Sequence, residues 1–296
     1  MALSTLITDP ESVLAAWPRT PRLYHHAADT FADLLTLDEV NELIDEECIA
    51  MRNLVLIKDG SLIERRLFGD GDLPYPGAVR EHINNGGTIS LRQLQELRPS
   101  ISRLRREVQA ATGCLVHANA YLTPPDSQGL KYHYDPYVTL IIQIAGRKAW
   151  PLHPPIVENP TKEHGNFLGR GFTHEERVYL ANTPPAQTFT LEPGDVFWLP
   201  RGYLHSPHTV GEETSLHITL AMKERTAHWV AEQMASEILE QAIVDPAMRE
   251  ELQPAALFRD PVAAVNDMRT YLQGALMLMD TKEMGERLVR VARRVA

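Results

Sequence analysis

The chain has 296 residues, 44% of them hydrophobic and 23% charged, enough apolar material for a sizeable core, which excludes disorder as a description of the whole. Its 39 acidic residues outnumber 29 basic ones, and the net charge of −10 argues against a duplex-binding surface and suits a basic partner better. No stretch approaches the roughly 18 uninterrupted apolar residues of a membrane helix, and Asp9 and Glu11 come too early for a secretory leader, so a soluble cytoplasmic protein with no nucleic-acid or membrane partner is expected.

Residues 1–114 read as a helical and mixed segment packing on a barrel. Thr36-Leu37-Asp38-Glu39 and Ser90-Leu91-Arg92-Gln93 both fit a capping box. Val40, Leu43, Ile44 and Cys48 follow the first at helical spacing; Leu94, Leu97, Ile101, Leu104 and Val108 follow the second, with Pro99 starting a fresh helix. Between them, Arg52 to Gly60 predicts a strand closed by a turn, and Gly69 to Gly77 a loop.

Residues 115–223 change to short β-branched and aromatic runs separated by Pro, Gly and Asp. The expected strands are Leu115 to Leu122, Leu130 to Tyr134, Tyr137 to Ala145, Lys148 to His153, Gln187 to Leu191, Val196 to Pro200, His205 to Val210 and Ser215 to Met222. Eight strands suit a double-sheet jelly roll, giving an α+β chain with a mainly β core. Pro154 to Asn182 is a long excursion of the kind that forms a lid or substrate loop.

Residues 224–296 read as helices. Val230, Met234, Ile238, Leu239, Ala242 and Ile243 form one face before Asp245-Pro246 ends the run. A second long helix spans roughly Pro261 to Met279, and a last one starts near Asp280 with Leu288, Val291 and Val295 inward and Arg287, Arg290, Arg293 and Arg294 outward. This layer is expected to cover the barrel or to make a homodimer contact.

Only two cysteines occur, Cys48 and Cys114, at a spacing that fits no zinc module, so a metal must be held by histidine and carboxylate. In His133-Tyr134-Asp135 two ligand types stand at i and i+2 of an expected strand, where side chains share a face. Pro193-Gly194-Asp195 turns into Val196-Phe197-Trp198-Leu199, and the bend Pro200-Arg201-Gly202 then delivers His205. Two histidines and one carboxylate on one side of a metal leave open positions, the donor set of non-haem Fe(II) oxygenases. His208 is a rival third ligand, set aside because an odd offset turns it to the opposite face, and His217 reads as a barrel-wall group. Lys148 is either a hairpin-tip charge or a buried cation, and a buried cation needs an anionic partner.

From Asn119 to about Trp150 and from Pro193 to Ala221 the chain resembles the JmjC-type ribosomal oxygenases, which are 2-oxoglutarate-dependent hydroxylases with a cupin-like core. The resembling runs include Asn119-Ala120-Tyr121-Leu122-Thr123-Pro124-Pro125, His133-Tyr134-Asp135, Gln143-Ile144-Ala145-Gly146-Arg147-Lys148-Ala149-Trp150, Pro200-Arg201-Gly202-Tyr203-Leu204-His205 and Leu216-His217-Ile218-Thr219. The resemblance implies that His133, Asp135 and His205 hold Fe(II), that Lys148 pairs with the distal carboxylate of 2-oxoglutarate, and that Asn119, Tyr121 and Thr219 surround the same co-substrate, with O2 as oxidant. Ala221 departs from the pattern, because members often carry a small hydroxyl residue there. Members also carry a dimerisation region and a winged-helix module, more than the residues after Lys223 provide.

The implied activity is hydroxylation of a side chain in a basic protein or peptide, foremost a ribosomal protein. The alternative is hydroxylation of a peptide natural product or a free or carrier-bound amino acid. A non-enzymatic reading is a cupin-type binding protein.

Overall fold

A computed structural model describes residues 3–161, 164, 171–252 and 255–293. The chain divides into two compact units, residues 1–223 and 224–296.

In the first unit the elements run α1 (Pro10–Ala15), β1 (Arg22–Tyr24), α2 (Leu37–Asp45), β2 (Leu54–Lys58), β3 (Ser61–Ile63), β4 (Gly69–Asp70), β5 (Leu73–Pro74), α3 (Pro76–Asn84), β6 (Thr88–Leu91) and α4 (Pro99–Thr112). They continue with β7 (Leu115–Thr123), β8 (Val138–Ala145), β9 (Arg147–His153), α5 (His174–Asn182), β10 (Gln187–Leu191), β11 (Val196–Leu199), β12 (Leu204–His205), β13 (His208–Val210) and β14 (Ser215–Lys223). One 8-stranded sheet has the order β1-β11-β8-β14-β7-β6-β2-β3, and β10-β9-β12 forms a second sheet with β13 also pairing β9. The segment before residue 115 therefore does more than pack on a barrel, since β1 extends one edge of the large sheet and β6, β2 and β3 the other.

Period-2 alternation sets which residues meet core and which meet cavity. Val116, Ala118, Ala120 and Leu122 of β7, Val138, Leu140 and Ile142 of β8, and Leu216, Ile218, Leu220 and Met222 of β14 enter one large apolar core, joined there by Ile101, Leu104 and Val108 of α4 and Val40 and Ile44 of α2. The residues between them, such as His117, Asn119 and Tyr121, face a cavity instead. A smaller cluster of Ile141, Trp150, Leu152, Leu191, Phe197 and Leu199 links strands of the two sheets.

Local chemistry explains most boundaries. Thr36 Oγ1 accepts from the Glu39 amide at 3.2 Å and Glu39 returns the bond to the Thr36 amide at 2.9 Å, the reciprocal cap that starts α2. Pro99 is the first residue of α4, where a missing N–H costs nothing, and Gly113 ends the helix in the left-handed region at φ 69°.

The structure corrects several expectations. Ser90 caps no helix; it lies buried in β6, paired between Val55 and Tyr121, because flanking Ile89 and Leu91 belong to the sheet core. Leu130 to Tyr134 is not a strand, its one ladder contact being an isolated bridge from His133 to His205. His205 to Val210 is broken at Ser206-Pro207 into β12 and β13, since proline cannot donate to the ladder. The Gly69 to Gly77 stretch contains the β4-β5 pair and the start of α3. The excursion from Pro154 ends in α5, which opens on a second capping box from Thr173 and Glu176.

The second unit contains α6 (Ala227–Ala242), α7 (Ala256–Arg259), α8 (Pro261–Leu278) and α9 (Thr281–Arg293). Within it Ile238, Ala242 and Met284 are buried, whereas Leu239 and Ile243, expected on the same face as Ile238, are 64% and 69% exposed. Arg287 does not point outward as expected; it is half-buried against Glu237 and Glu240 of α6, with 2.7 Å to Glu240. Arg294 and Val295 lie outside the described residues.

Candidate metal and co-substrate site

A cavity of about 440 Å³ opens in the first unit, walled by β7, β8, β9 and β14. His133, Asp135 and His205 converge on it, each offering a ligand atom within 4.8 Å of the others. His205 Nε2 lies 3.9 Å from Asp135 Oδ2. The two histidines reach this geometry in the same way. Their backbones exchange hydrogen bonds, His133 N–H to the His205 carbonyl at 3.1 Å and His205 N–H to the His133 carbonyl at 2.8 Å. Each ring then sets Nδ1 against the carbonyl two residues earlier, Lys131 at 2.8 Å and Tyr203 at 2.9 Å. A carbonyl oxygen can accept but not donate, so Nδ1 carries the proton and Nε2 is the nitrogen each ring can give to a metal.

Electrostatics favour a cation here. Burial pushes the His133 imidazole below its ordinary range and the His205 imidazole well below it, so both rings are neutral, the ligating form. Burial pushes the Asp135 carboxyl upward, the cost of an anion kept from water, which a divalent ion would offset. Tyr137, two residues on, directs its hydroxyl to Asp135, and that carboxylate, followed by burial, holds the phenol well above its usual range. Sequence reading did not single out Tyr137. The available signal was Asp135-Pro136-Tyr137, because a residue before proline is extended and aligns i with i+2.

Lys148 settles the choice left open by sequence. It lies in β9, 1% exposed, with Nζ donating to Thr123 Oγ1 at 2.6 Å. Burial pushes its ammonium down to about 7, with no carboxylate among the described residues compensating. Asn119 and Thr219 are directly opposite in the β7-β14 register, as are Tyr121 and His217, so all four line one wall. Tyr121 stacks on His217 with ring centroids 4.9 Å apart and planes 9° from parallel. His217 sits outside the three-residue cluster, as does His208. Ala221 pairs across β8 with Thr139, which also lines the cavity, so a hydroxyl stands opposite the position where the chain lacks one. Trp150, also unforeseen, lies 5.6 Å from His205 and 5.4 Å from His217 between ring centroids, walling off both imidazoles.

Residues 90–230 match the model of the JmjC domain family, and the fold is cupin-like. Over 232 residues it is 27% identical to the bifunctional lysine-specific demethylase and histidyl-hydroxylase NO66 of Drosophila persimilis, covering 77% of this chain and 31% of that protein. Over 175 residues it is 32% identical to ribosomal oxygenase 2 of Rattus norvegicus, covering 59% of this chain and 33% of the relative. The chain thus spans about a third of these relatives' lengths. Among solved structures, YcfD, a ribosomal oxygenase from Escherichia coli, superposes with a TM-score of 0.61 at 16% identity over 96% of this chain and 71% of that one. The same protein in complex with cobalt and 2-oxoglutarate gives a TM-score of 0.60 at 16% identity, covering 94% of this chain and 69% of that one.

Proposed function

We propose that the protein is an Fe(II)- and 2-oxoglutarate-dependent hydroxylase, with His133, Asp135 and His205 as the metal ligands. The observation that carries this reading is Lys148, a buried ammonium facing the cavity with a hydroxyl but, among the described residues, no carboxylate beside it. A lysine is kept in such a place when a ligand anion completes it, and the distal carboxylate of 2-oxoglutarate is that anion. Asn119, Tyr121 and Thr219 border the same wall and offer amide and hydroxyl donors for the carboxylate lone pairs that one lysine leaves. The bound metal and 2-oxoglutarate supply the oxidising chemistry, in which O2 is consumed, 2-oxoglutarate becomes succinate and CO2, and one substrate C–H becomes C–OH.

The chain's own residues bind and position; none is assigned a proton transfer. Trp150 and Ile141 keep that part of the cavity apolar. Tyr137 orients Asp135, and the Lys131 and Tyr203 carbonyls fix the imidazole tautomers.

A side chain of a ribosomal protein is the substrate this reading favours, supported by the names of the relatives. Hydroxylation of a peptide natural product or an amino acid is the second reading. A cytoplasmic location belongs to the proposal, and no helix among the described residues is long and apolar enough to cross a membrane. Exposed Val262, Val265, Leu272 and Leu276 of α8 suit a homodimer contact, to be checked by light scattering. The site itself is tested anaerobically, since Fe(II) chelated by 2-oxoglutarate gives a visible charge-transfer band. Its absence, or a failure of 2-oxoglutarate to be turned over to succinate, overturns the reading in favour of a binding protein.

A further inference from the structure

Charge at the cavity's edge points to what the site recognises. Among the described residues the cavity lining contains one carboxylate, Asp135, and four Lys or Arg residues, Arg52, Arg92, Lys148 and Lys223. Within the proposed reading the centre is balanced, because a divalent metal, the Asp135 carboxylate, a dicarboxylate co-substrate and the Lys148 ammonium sum to zero. Arg52 and Arg92 stand outside that balance, at the edge.

Arg52 and Arg92 are both exposed, and neither guanidinium has an ion-pair or hydrogen-bond partner among the described residues. They sit at one end of neighbouring strands, Arg52 before β2 and Arg92 after β6, where Leu54 pairs with Leu91 and the Arg92 amide bonds the Asn53 carbonyl at 2.7 Å. Arg92 lies close enough to the interior for its charge to act on both the Tyr121 and Tyr137 phenols. The turn that presents it is fixed. Gln93 is held in the left-handed region at φ 56°, and its amide donates to Asn119 Oδ1 at 3.2 Å. A side chain of the cavity wall thus sets the backbone next to Arg92, an arrangement that a merely solvated arginine does not need.

We propose that Arg52 and Arg92 are specificity-determining residues that bind a carboxylate of an acidic peptide segment next to the reacting carbon. This rests on the hydroxylase reading of the site and concerns only the stretch around the reacting residue, which it makes acidic within a ribosomal or other protein substrate, against the basic partner that the net charge of −10 suggests. Charge at the edge of the cavity outweighs net charge here, because screening confines an exposed charge to a reach of about 8–10 Å. A peptide is favoured over a nucleic acid because two arginines on an acidic chain fall short of the footprint that a phosphate backbone requires.

The test is a binding titration with the full chain, anaerobic, with Fe(II) and 2-oxoglutarate present. Labelled synthetic peptides matched in length but rich in Asp/Glu, Ser/Gln or Lys/Arg are followed by anisotropy, with a single-stranded RNA oligonucleotide as a fourth probe. The acidic peptide should bind at least about tenfold more tightly than the neutral one, with the basic peptide weakest. The Arg52→Glu/Arg92→Glu double variant should reverse that order and the Arg52→Gln/Arg92→Gln variant should erase it, with the charge-transfer band unchanged in both. Preference for the basic peptide, preference for RNA, or an order unaffected by the variants overturns the proposal. Loss of the band in the unaltered protein overturns the metal reading instead, while the peptide order still reports on the arginines.

Discussion

His133 and His205 hold each other in place: each backbone amide donates to the other's carbonyl, at 3.1 and 2.8 Å, in the one bridge that joins the Leu130–Tyr134 segment to β12. Two residues 72 positions apart are thereby fixed as a unit before any ligand arrives. That rigidity makes the cost of losing a ring specific to chemistry. His133→Ala and His205→Ala should keep the backbone exchange, and so the fold, yet weaken Fe(II) binding by more than about 100-fold, beyond the range for losing a ligand's hydrogen-bonding neighbour. Competition with a chromophoric chelator measures this, and near-native affinity in either variant would remove that histidine from the ligand set.

Tyr137→Phe deletes one hydroxyl and leaves the ring. Its partner Asp135 is then held by fewer contacts, so metal retention should weaken by about 10–100-fold with 2-oxoglutarate affinity changed less. Equal losses in both would show that the phenol touches the co-substrate instead.

Lys148 ties ligand binding to pH. Its pKa is pushed from 10.5 to about 7 by burial, so between those values the unfolded chain binds a proton that the ligand-free folded chain does not. Stability of the ligand-free protein therefore gains from this residue as pH rises from about 7 toward 10.5, and below about 7 its contribution is flat and at its lowest. Lys148→Met should abolish that rise in urea titrations at neutral and alkaline pH. A dicarboxylate that prefers the ammonium form must also take up a proton on binding, so 2-oxoglutarate affinity should fall as pH climbs above about 7 in the parent and lose that dependence in Lys148→Met. Identical pH profiles for the two proteins would show that Lys148 is not the co-substrate's partner.

Trp198 tests the sheet that carries the site. It is 1% exposed, packs edge-on against Trp17 at 5.1 Å and donates Nε1–H to the Pro18 carbonyl at 3.3 Å. Trp198→Ala should cost about 3–5 kcal/mol through the cavity it leaves. A loss under 1 kcal/mol by denaturant titration would mean that residues 17–18 collapse to fill the space.

The parts of this structure that were legible in the sequence are those where local pattern and tertiary demand coincide. β7 and β14 alternate strictly because one face meets α4 and the core while the other meets the cavity, so period-2 reading locates them within a residue. Thr36 caps its helix because nothing else claims the segment, whereas Ser90 obeys the same local rule and is overruled by the pairing of Ile89 and Leu91. The Leu130–Tyr134 run looked like a strand because its residue types suit one, but its partner strand is only two residues long. At the site, His133, Asp135, His205 and Lys148 stand in spaced motifs, which is why they could be named in advance. Thr123 and Trp150 could not, since their roles arise from register and ring contacts that no sequence interval encodes, whereas Tyr137 is marked only by its place two residues after Asp135 across a proline.

β1 consists of three residues, yet it pairs along β11 from Arg22 opposite Trp198 to Tyr24 opposite Val196. Without it, the fully buried run Val196-Phe197-Trp198-Leu199 would end the large sheet with a bare row of amides and carbonyls. Such a margin, apolar and without proline or charge along its length, is a template for strand addition by another molecule. The short N-terminal strand thus works as a guard against self-association. A protein made without its first two dozen residues should precipitate rather than simply lose activity, even though every group lining the cavity is still encoded.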